Sequence, residues 1–187
     1  MKDAQLRALL TRIVAKDKIA FKQVYEALER PLFRFIHLKL NDPFQASDIL
    51  HDVFMEVWNK ADRYQGRSTV KSWVFGIAHN KTMDVFRKSS RLVVTDTFPD
   101  VEDEGPTGES CVLAAQEAAH VKACLGTLKP QQKEVIELAF YEDMSYRDIG
   151  TVLNIPEGTI KTRIFHAKQL LLRCLTDRIQ GKGSRHD

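Results

Sequence analysis

Apolar residues recur at helical spacing along almost the whole chain, and strand signals are nearly absent. Ile19, Val24, Leu28, Leu32 and Phe35 lie about one turn apart. They predict two helices broken near Pro31, since proline lacks an N–H and its ring clashes with the preceding turn. Asp42-Pro43 is a helix start, with Asp as the cap and Pro in the first helical position. Ile49, Leu50, Val53, Phe54, Val57 and Trp58 then form the stripe of a helix of about four turns. Trp73, Val74, Ile77, Ala78, Val85 and Phe86 repeat the pattern, and Trp73, Ile77 and Phe86 are expected mostly in the core. No Asn-Gly or Asp-Gly pair separates alternating segments. The fold class this requires is all-α.

The chain has 187 residues, room for one ordinary domain or two small ones. At 43% hydrophobic and 28% charged it is globular in composition. No long apolar run predicts a transmembrane helix, and the N-terminus lacks a secretory pattern. A cytoplasmic location without membrane insertion is expected. The three cysteines, Cys111, Cys124 and Cys174, are odd in number and far apart. Reduced thiols are therefore expected. Cys124 and Cys174 read as small buried side chains, and Cys111 lies at the edge of a linker.

That linker is "TDTFPDVEDEGPTGES", residues 95–110, with six acids, no base, two prolines and two glycines. It has little to bury and reads as a flexible tether. The net charge of +3 becomes +9 once the linker is set aside. The expected organisation is one small helical domain over 1–94, the tether over 95–110, a second domain over 111–177 and a frayed tail over 178–187.

Four helices are expected beyond the tether, at roughly 112–126, 130–141, 146–153 and 157–175. Ser145 opens "SYRD", a capping box. Asn154 occupies the next turn, where it adopts the left-handed conformation more cheaply than most residues. Pro156 starts the last helix. Two short helices joined by so tight a turn, the second basic in its first half, form a helix-turn-helix. Lys161, Thr162, Phe165 and His166 share a connected face suited to a DNA major groove. Ile149, Leu153, Ile155, Ile160 and Ile164 would hold the two helices together. Spacing alone leaves open a charged, solvated face on a packing helix.

The N-terminal half carries two further patterns. Asp48, Asp52 and Glu56 stand four residues apart, an acidic stripe in a basic molecule. From Arg67 to Arg91 there are six basic residues and one acid, interleaved with Trp73, Phe75 and Phe86. Cations with aromatics suit unpaired bases, whose stacking contributes about 1–3 kcal/mol each. His120 and Cys124 stand at i, i+4, but a structural zinc site needs four ligands. No metal or cofactor is expected. No phosphate loop, nucleophile elbow or metalloprotease motif occurs, so the chain is not expected to be an enzyme.

"FQASDILHDVFMEVW", then "FGIAHNKTMDVFRK", an acidic linker and "LKPQQKEVIELAFYEDMSYRDIGTVLNIPEGTIKTRIFHAKQLL" together resemble an extracytoplasmic-function sigma factor of the sigma-70 family. The resemblance covers about residues 10–91, as region 2, and 112–175, as region 4. It implies an alternative sigma factor that binds core RNA polymerase, at its largest-subunit coiled coil and flap, and directs initiation at promoter DNA. It also implies an anti-sigma factor as partner, and a monomer when free.

Residue by residue, the resemblance places polymerase binding at Asp48, Leu50, Asp52, Val53, Phe54 and Glu56, with Val53 and Phe54 expected at least partly in the core. It places −10 contacts in the loop Tyr64, Arg67, Ser68 and Thr69 and on the helix bearing Lys71, Asn80, Lys81, Asp84, Arg87 and Lys88. It places −35 contacts at Arg147, Thr159, Lys161, Thr162, Phe165, His166 and Lys168. Three positions depart from the family pattern. Gly150 replaces a small alanine, Asn154 a turn glycine, and His166 a frequent arginine. Histidine cannot make the bidentate pair to guanine that arginine makes. The competing readings are a stand-alone helix-turn-helix regulator, whose N-terminal helices dimerise or sense, and an enzyme acting on nucleic acid.

Overall fold

The computed structural model describes residues 1–89 and 109–180, with side chains over 1–88 and 118–180. Eight α-helices follow in order: α1 (Asp3–Val14), α2 (Lys18–Leu40), α3 (Pro43–Lys60), α4 (Val70–Ser89), α5 (Glu109–Gly126), α6 (Pro130–Ile136), α7 (Tyr146–Leu153) and α8 (Glu157–Ile179). A 3₁₀ turn, Ala61–Arg63, follows α3, and a π-helical turn, Glu137–Tyr141, extends α6. No strand occurs among the described residues. The tether expected at 95–110 lies outside them except for its last two residues, which already belong to α5. The Cys111 side chain and the tail beyond residue 180 also lie outside.

Local chemistry sets the helix starts. Asp42 Oδ1 accepts from the N–H groups of Phe44 and Gln45 at 2.9 and 3.1 Å. Ser145 Oγ accepts from the Asp148 N–H at 3.1 Å and donates to its carboxylate at 2.7 Å. Asn154 closes α7 in the left-handed conformation, with φ 55°.

Three expectations are corrected. Pro31 does not break a helix: α2 runs unbroken through it. Proline removes one N–H from the ladder, while Leu28, Leu32, Phe35 and Ile36 on both sides are buried and hold the segment helical. α8 extends four residues past the expected end at 175, into the segment read as a tail. The thiols are not free: Cys124 and Cys174 form a disulfide, Sγ–Sγ 2.02 Å, joining α5 to α8 across a sequence separation of 50. Cys124 is therefore unavailable as a partner for His120. α1 was not anticipated; it buries Leu6, Leu9, Leu10 and Ile13.

One apolar cluster runs through both halves of the chain. It joins Leu32, Phe35, Phe54, Val74 and Phe75 to Val135, Leu138, Ile149 and Ile160. Phe35 and Phe75 meet at a ring-centroid distance of 5.2 Å. Each such side chain contributes roughly 1.5–3 kcal/mol by burial. A smaller cluster of Leu128, Ile136 and Ala167 seats α6 on α8. α4 packs against α7 and α2 against α6, so the two halves meet along these faces.

Candidate nucleic-acid interface

The helix-turn-helix is α7, the turn 154–156 and α8. Ile149, Leu153, Ile160 and Ile164 are buried and lock the two helices, as their spacing implied. Gly150 faces the turn and the start of α8. A Cβ there would lie 2.8 Å from the Ile155 carbonyl oxygen. That carbonyl belongs to the turn, so only glycine fits without moving α8. Beyond the turn, Lys161, Thr162, Phe165, His166 and Lys168 are all exposed, as is Arg147 on α7, while Thr159 is half-buried. Phe165 is 59% exposed, although large aromatics usually bury. Lys161 is held by Glu157 at 2.8 Å, which raises its pKa. Thr162 Oγ1 donates to the Gly158 carbonyl at 3.0 Å. Lys168 lies over the Phe140 ring, 4.9 Å from its centroid. The exposed face combines polar side chains with Phe165 and is backed by a buried hydrophobic seam.

The residues assigned to −10 recognition divide into two groups. Arg67, Asn80, Asp84, Arg87 and Lys88 are exposed, the last four on α4, where Arg87 pairs with Asp84. The others are engaged within the protein. Tyr64 donates to the Ser68 carbonyl at 2.5 Å, packs on Trp73 and lies beneath the Arg7 guanidinium. Thr69 Oγ1 accepts from the Ser72 N–H at 3.1 Å and caps α4. Lys81 pairs with Glu56 of α3 at 3.2 Å. Lys71 pairs with Glu142 of the other half at 2.7 Å. Phe86, expected in the core, is 40% exposed near the end of α4.

The acidic stripe of α3 is likewise split by its surroundings. Asp48 and Asp52 face outward. Glu56 is turned toward Lys60, at 2.8 Å, and Lys81. The hydrogen bond from Lys60 leads in holding its carboxyl below the usual range; partial burial opposes it and Lys81 reinforces it. Leu50, Val53 and Phe54, assigned to polymerase contact, are buried, Val53 completely. They cannot meet a partner directly, because their positions face α2, where Phe54 packs on Tyr25 at 4.4 Å. Sequence reasoning missed two apolar side chains on the outward face beside Asp48 and Asp52. Phe44 is 83% exposed and Met55 is 43% exposed. Their signal was visible: both fall off the buried stripe of α3.

Also unforeseen is a polar seam between the two halves. Arg34 of α2 bonds both Glu137 and Glu142. Lys39 of α2 pairs with Glu134 of α6, which lies 3.4 Å from His79 of α4. Burial pushes the Lys39 ammonium down, opposed by Glu134. Burial alone would raise Glu134, but hydrogen bonds and charge from His79 and Lys39 outweigh it and leave it lowered. Burial raises Glu137, with Arg34 opposing and Glu142 adding.

The family model for Sigma-70 region 2 matches residues 24–92, and that for Sigma-70 region 4 matches 120–171. The ECF RNA polymerase sigma factor RpoE of Cereibacter sphaeroides is 30% identical over 152 residues, covering 80% of this chain and 82% of that protein. The chain belongs to the extracytoplasmic-function sigma factors. The ECF sigma factor SigK of Mycolicibacterium vanbaalenii is 27% identical over 176 residues, covering 92% of this chain and 90% of its own. Among solved structures, RpoE from Bartonella quintana, in complex with the anti-sigma factor NepR, matches with a TM-score of 0.66 at 25% identity. That match covers 83% of this chain and 96% of that one. CnrH, in complex with the cytosolic domain of CnrY, shares the fold with a TM-score of 0.65 at 22% identity, covering 92% and 97%. In this sigma factor, region 2 thus comprises most of α2 with α3 and α4, and region 4 contains the helix-turn-helix. α1 precedes the matched span.

Proposed function

We propose that this alternative sigma factor docks on core RNA polymerase through the outward face of α3, reads a −35 element with α8 and captures a −10 element beside α4. The observation that carries this is the exposed face of Lys161, Thr162, Phe165 and His166 in a chain that also holds a region 2 segment. A stand-alone regulator needs the first and has no use for the second. Asp48 and Asp52 supply charge to the polymerase contact, and Phe44 and Met55 supply apolar area. Leu50, Val53 and Phe54 act from behind, by fixing α3 on α2. Arg67, Asn80, Arg87 and Lys88 are the solvent-exposed −10 contacts. The region 4 half also meets the polymerase flap.

The chemistry is binding rather than turnover, carried out in the cytoplasm by a protein monomeric when free. Among the described residues no helix is long and apolar enough to cross a membrane. An anti-sigma factor restrains the protein until a signal arrives; the RpoE–NepR complex of Bartonella quintana supports this assignment. The 1–94 and 111–177 segments act as separable units joined by the acidic tether.

Reconstituted transcription tests the proposal. Purified protein is mixed with core RNA polymerase and fragmented genomic DNA of its host, and transcript starts are mapped against core enzyme alone. New starts sharing one −35/−10 pair are expected. Absence of new starts, with failure to co-elute with core, overturns it in favour of the free regulator.

A further inference from the structure

α1 precedes the region 2 span, yet its first two turns reach the loop that carries Arg67. Leu6, Leu9, Leu10 and Ile13 bury one face of α1 in the core. Asp3 and Arg7, one turn apart, meet the loop 64–69 and the start of α4 together. Asp3 Oδ1 accepts from the N–H of Val70, the first residue of α4, at 2.8 Å. Its other carboxylate oxygen accepts from Arg7 Nε at 2.5 Å. Arg7 Nη2 donates to the Ser68 carbonyl at 3.1 Å, and the guanidinium lies 5.5 Å from the centroid of the Tyr64 ring. Tyr64 donates to the same carbonyl. Gly66 turns the loop with φ +69° and passes so near that a Cβ on it would stand 3.3 Å from Arg7 Nη1.

This clamp is not what holds α1, whose apolar face already does so, and exposed ion pairs stabilise a fold little. The Arg7 side chain is 43% exposed. What the clamp fixes is the shape of the loop. Residues 64–69 lie between the 3₁₀ turn and α4, without a helical or sheet ladder of their own, and Gln65, Gly66 and Arg67 at the tip are exposed. Tyr64 is tied back to the Ala61 carbonyl and Thr69 forward to Ser72, while Ser68 between them is held from α1. A loop that receives an unpaired base discriminates only as sharply as its backbone is held. A loose loop adjusts to a wrong base, and ordering it on binding costs affinity.

We infer that Asp3 and Arg7 are positioning residues for −10 recognition, which hold the loop 64–69 in the shape that selects its base. They act through Ser68, Tyr64 and the start of α4 rather than by touching DNA. This inference rests on the reading above that the loop takes part in −10 capture, and it extends that reading to a helix outside the region 2 span.

Holoenzyme assembled from core RNA polymerase and the full-length protein tests it, on a promoter from the mapped starts and on copies with one −10 base replaced. The measured quantity is the lifetime of the promoter complex on the original sequence divided by that on each altered copy. Arg7→Ala is expected to lower this ratio by about fivefold at a −10 position. Its ratio for −35 replacements, its co-elution with core and its melting temperature should match the parent's. Arg7→Lys, which keeps a donor for the Ser68 carbonyl, should recover most of the ratio. Asp3→Asn keeps an acceptor for the Val70 N–H but loses the charge that orients Arg7, and should fall between. A merely structural role would shorten all lifetimes together and leave the ratio alone. An unchanged −10 ratio in Arg7→Ala, or equal shortening on every promoter, overturns the inference. If Arg7→Ala does not fold, an unchanged ratio in Asp3→Asn overturns it in the same way. A parent that does not discriminate among the −10 copies overturns the reading of the loop, and the inference falls with it.

Discussion

Lys71 Nζ lies 2.7 Å from Glu142 Oε2 and 2.8 Å from the Glu142 carbonyl oxygen. A residue in the first turn of α4 is thereby fixed to the segment that precedes the helix-turn-helix. The contact spans 71 positions of sequence. It belongs to a seam in which region 4 supplies carboxylates and region 2 supplies cations. Packing of the halves therefore draws on a side chain that the resemblance assigns to −10 recognition.

Core binding should depend on the two outward acids of α3. D48K/D52K reverses the charge of that face without touching the buried stripe. It is expected to lose co-elution with core polymerase while melting within a few degrees of the parent. Retained co-elution would remove α3 from the docking face.

Promoter choice should depend on the exposed face of α8. K161A/H166A removes two side chains that make no contribution to the core. It is expected to weaken use of the −35 element by about 1–3 kcal/mol per lost base contact, leaving dependence on the −10 element unchanged. A promoter-mutation profile identical to the parent's would contradict this.

Gly150→Ala should destabilise, against the usual trend. In an open helix this change stabilises by about 1 kcal/mol. Here the new Cβ would stand 2.8 Å from the Ile155 carbonyl oxygen, so α7 and α8 must part. A net loss of about 1–3 kcal/mol is expected. Urea unfolding with an unchanged or higher midpoint would show that the turn yields freely.

The disulfide should support the C-terminal half. Closing a loop of 50 residues between Cys124 and Cys174 restricts the unfolded chain. Its removal is expected to cost about 2–4 kcal/mol. Oxidised protein should melt higher than the same protein with dithiothreitol, and C124S/C174S should melt like the reduced form in both conditions. Indifference of the melt to reductant would refute this.

Glu56 gives a pH signature. Its carboxyl is held below 4.5, chiefly by the hydrogen bond from Lys60. Because the folded pKa is lowered, its stabilisation is present above the unfolded value. It is lost as pH falls through the folded value. E56Q should lower stability by about 1 kcal/mol at neutral pH, a modest figure because the pairs are partly exposed. The difference should vanish as pH falls through the lowered range in which the folded carboxyl takes up its proton. A gap that persists in acid would mean that packing, not charge, is at work.

The sequence by itself determined the all-helical class, the caps of several helices and the family. Asp42 caps neighbours two and three residues away, Ser145 caps Asp148, and Asn154 turns the chain by its own φ. Such interactions lie within one turn, so residue type and spacing are enough to read them. The same holds for Leu50, Val53 and Phe54, whose burial follows from the stripe they share, although the resemblance alone put them at a surface. Only the tertiary structure decided which charges meet. Arg34 finds Glu137 and Glu142 at separations of 103 and 108 residues, and Cys124 finds Cys174 at 50. It also decided that Pro31 lies inside a helix and that Gly150 must lack a Cβ. Those outcomes depend on the angle and distance at which whole helices pack. Packing is set by the summed burial of many side chains, none of which carries the answer in its own neighbourhood.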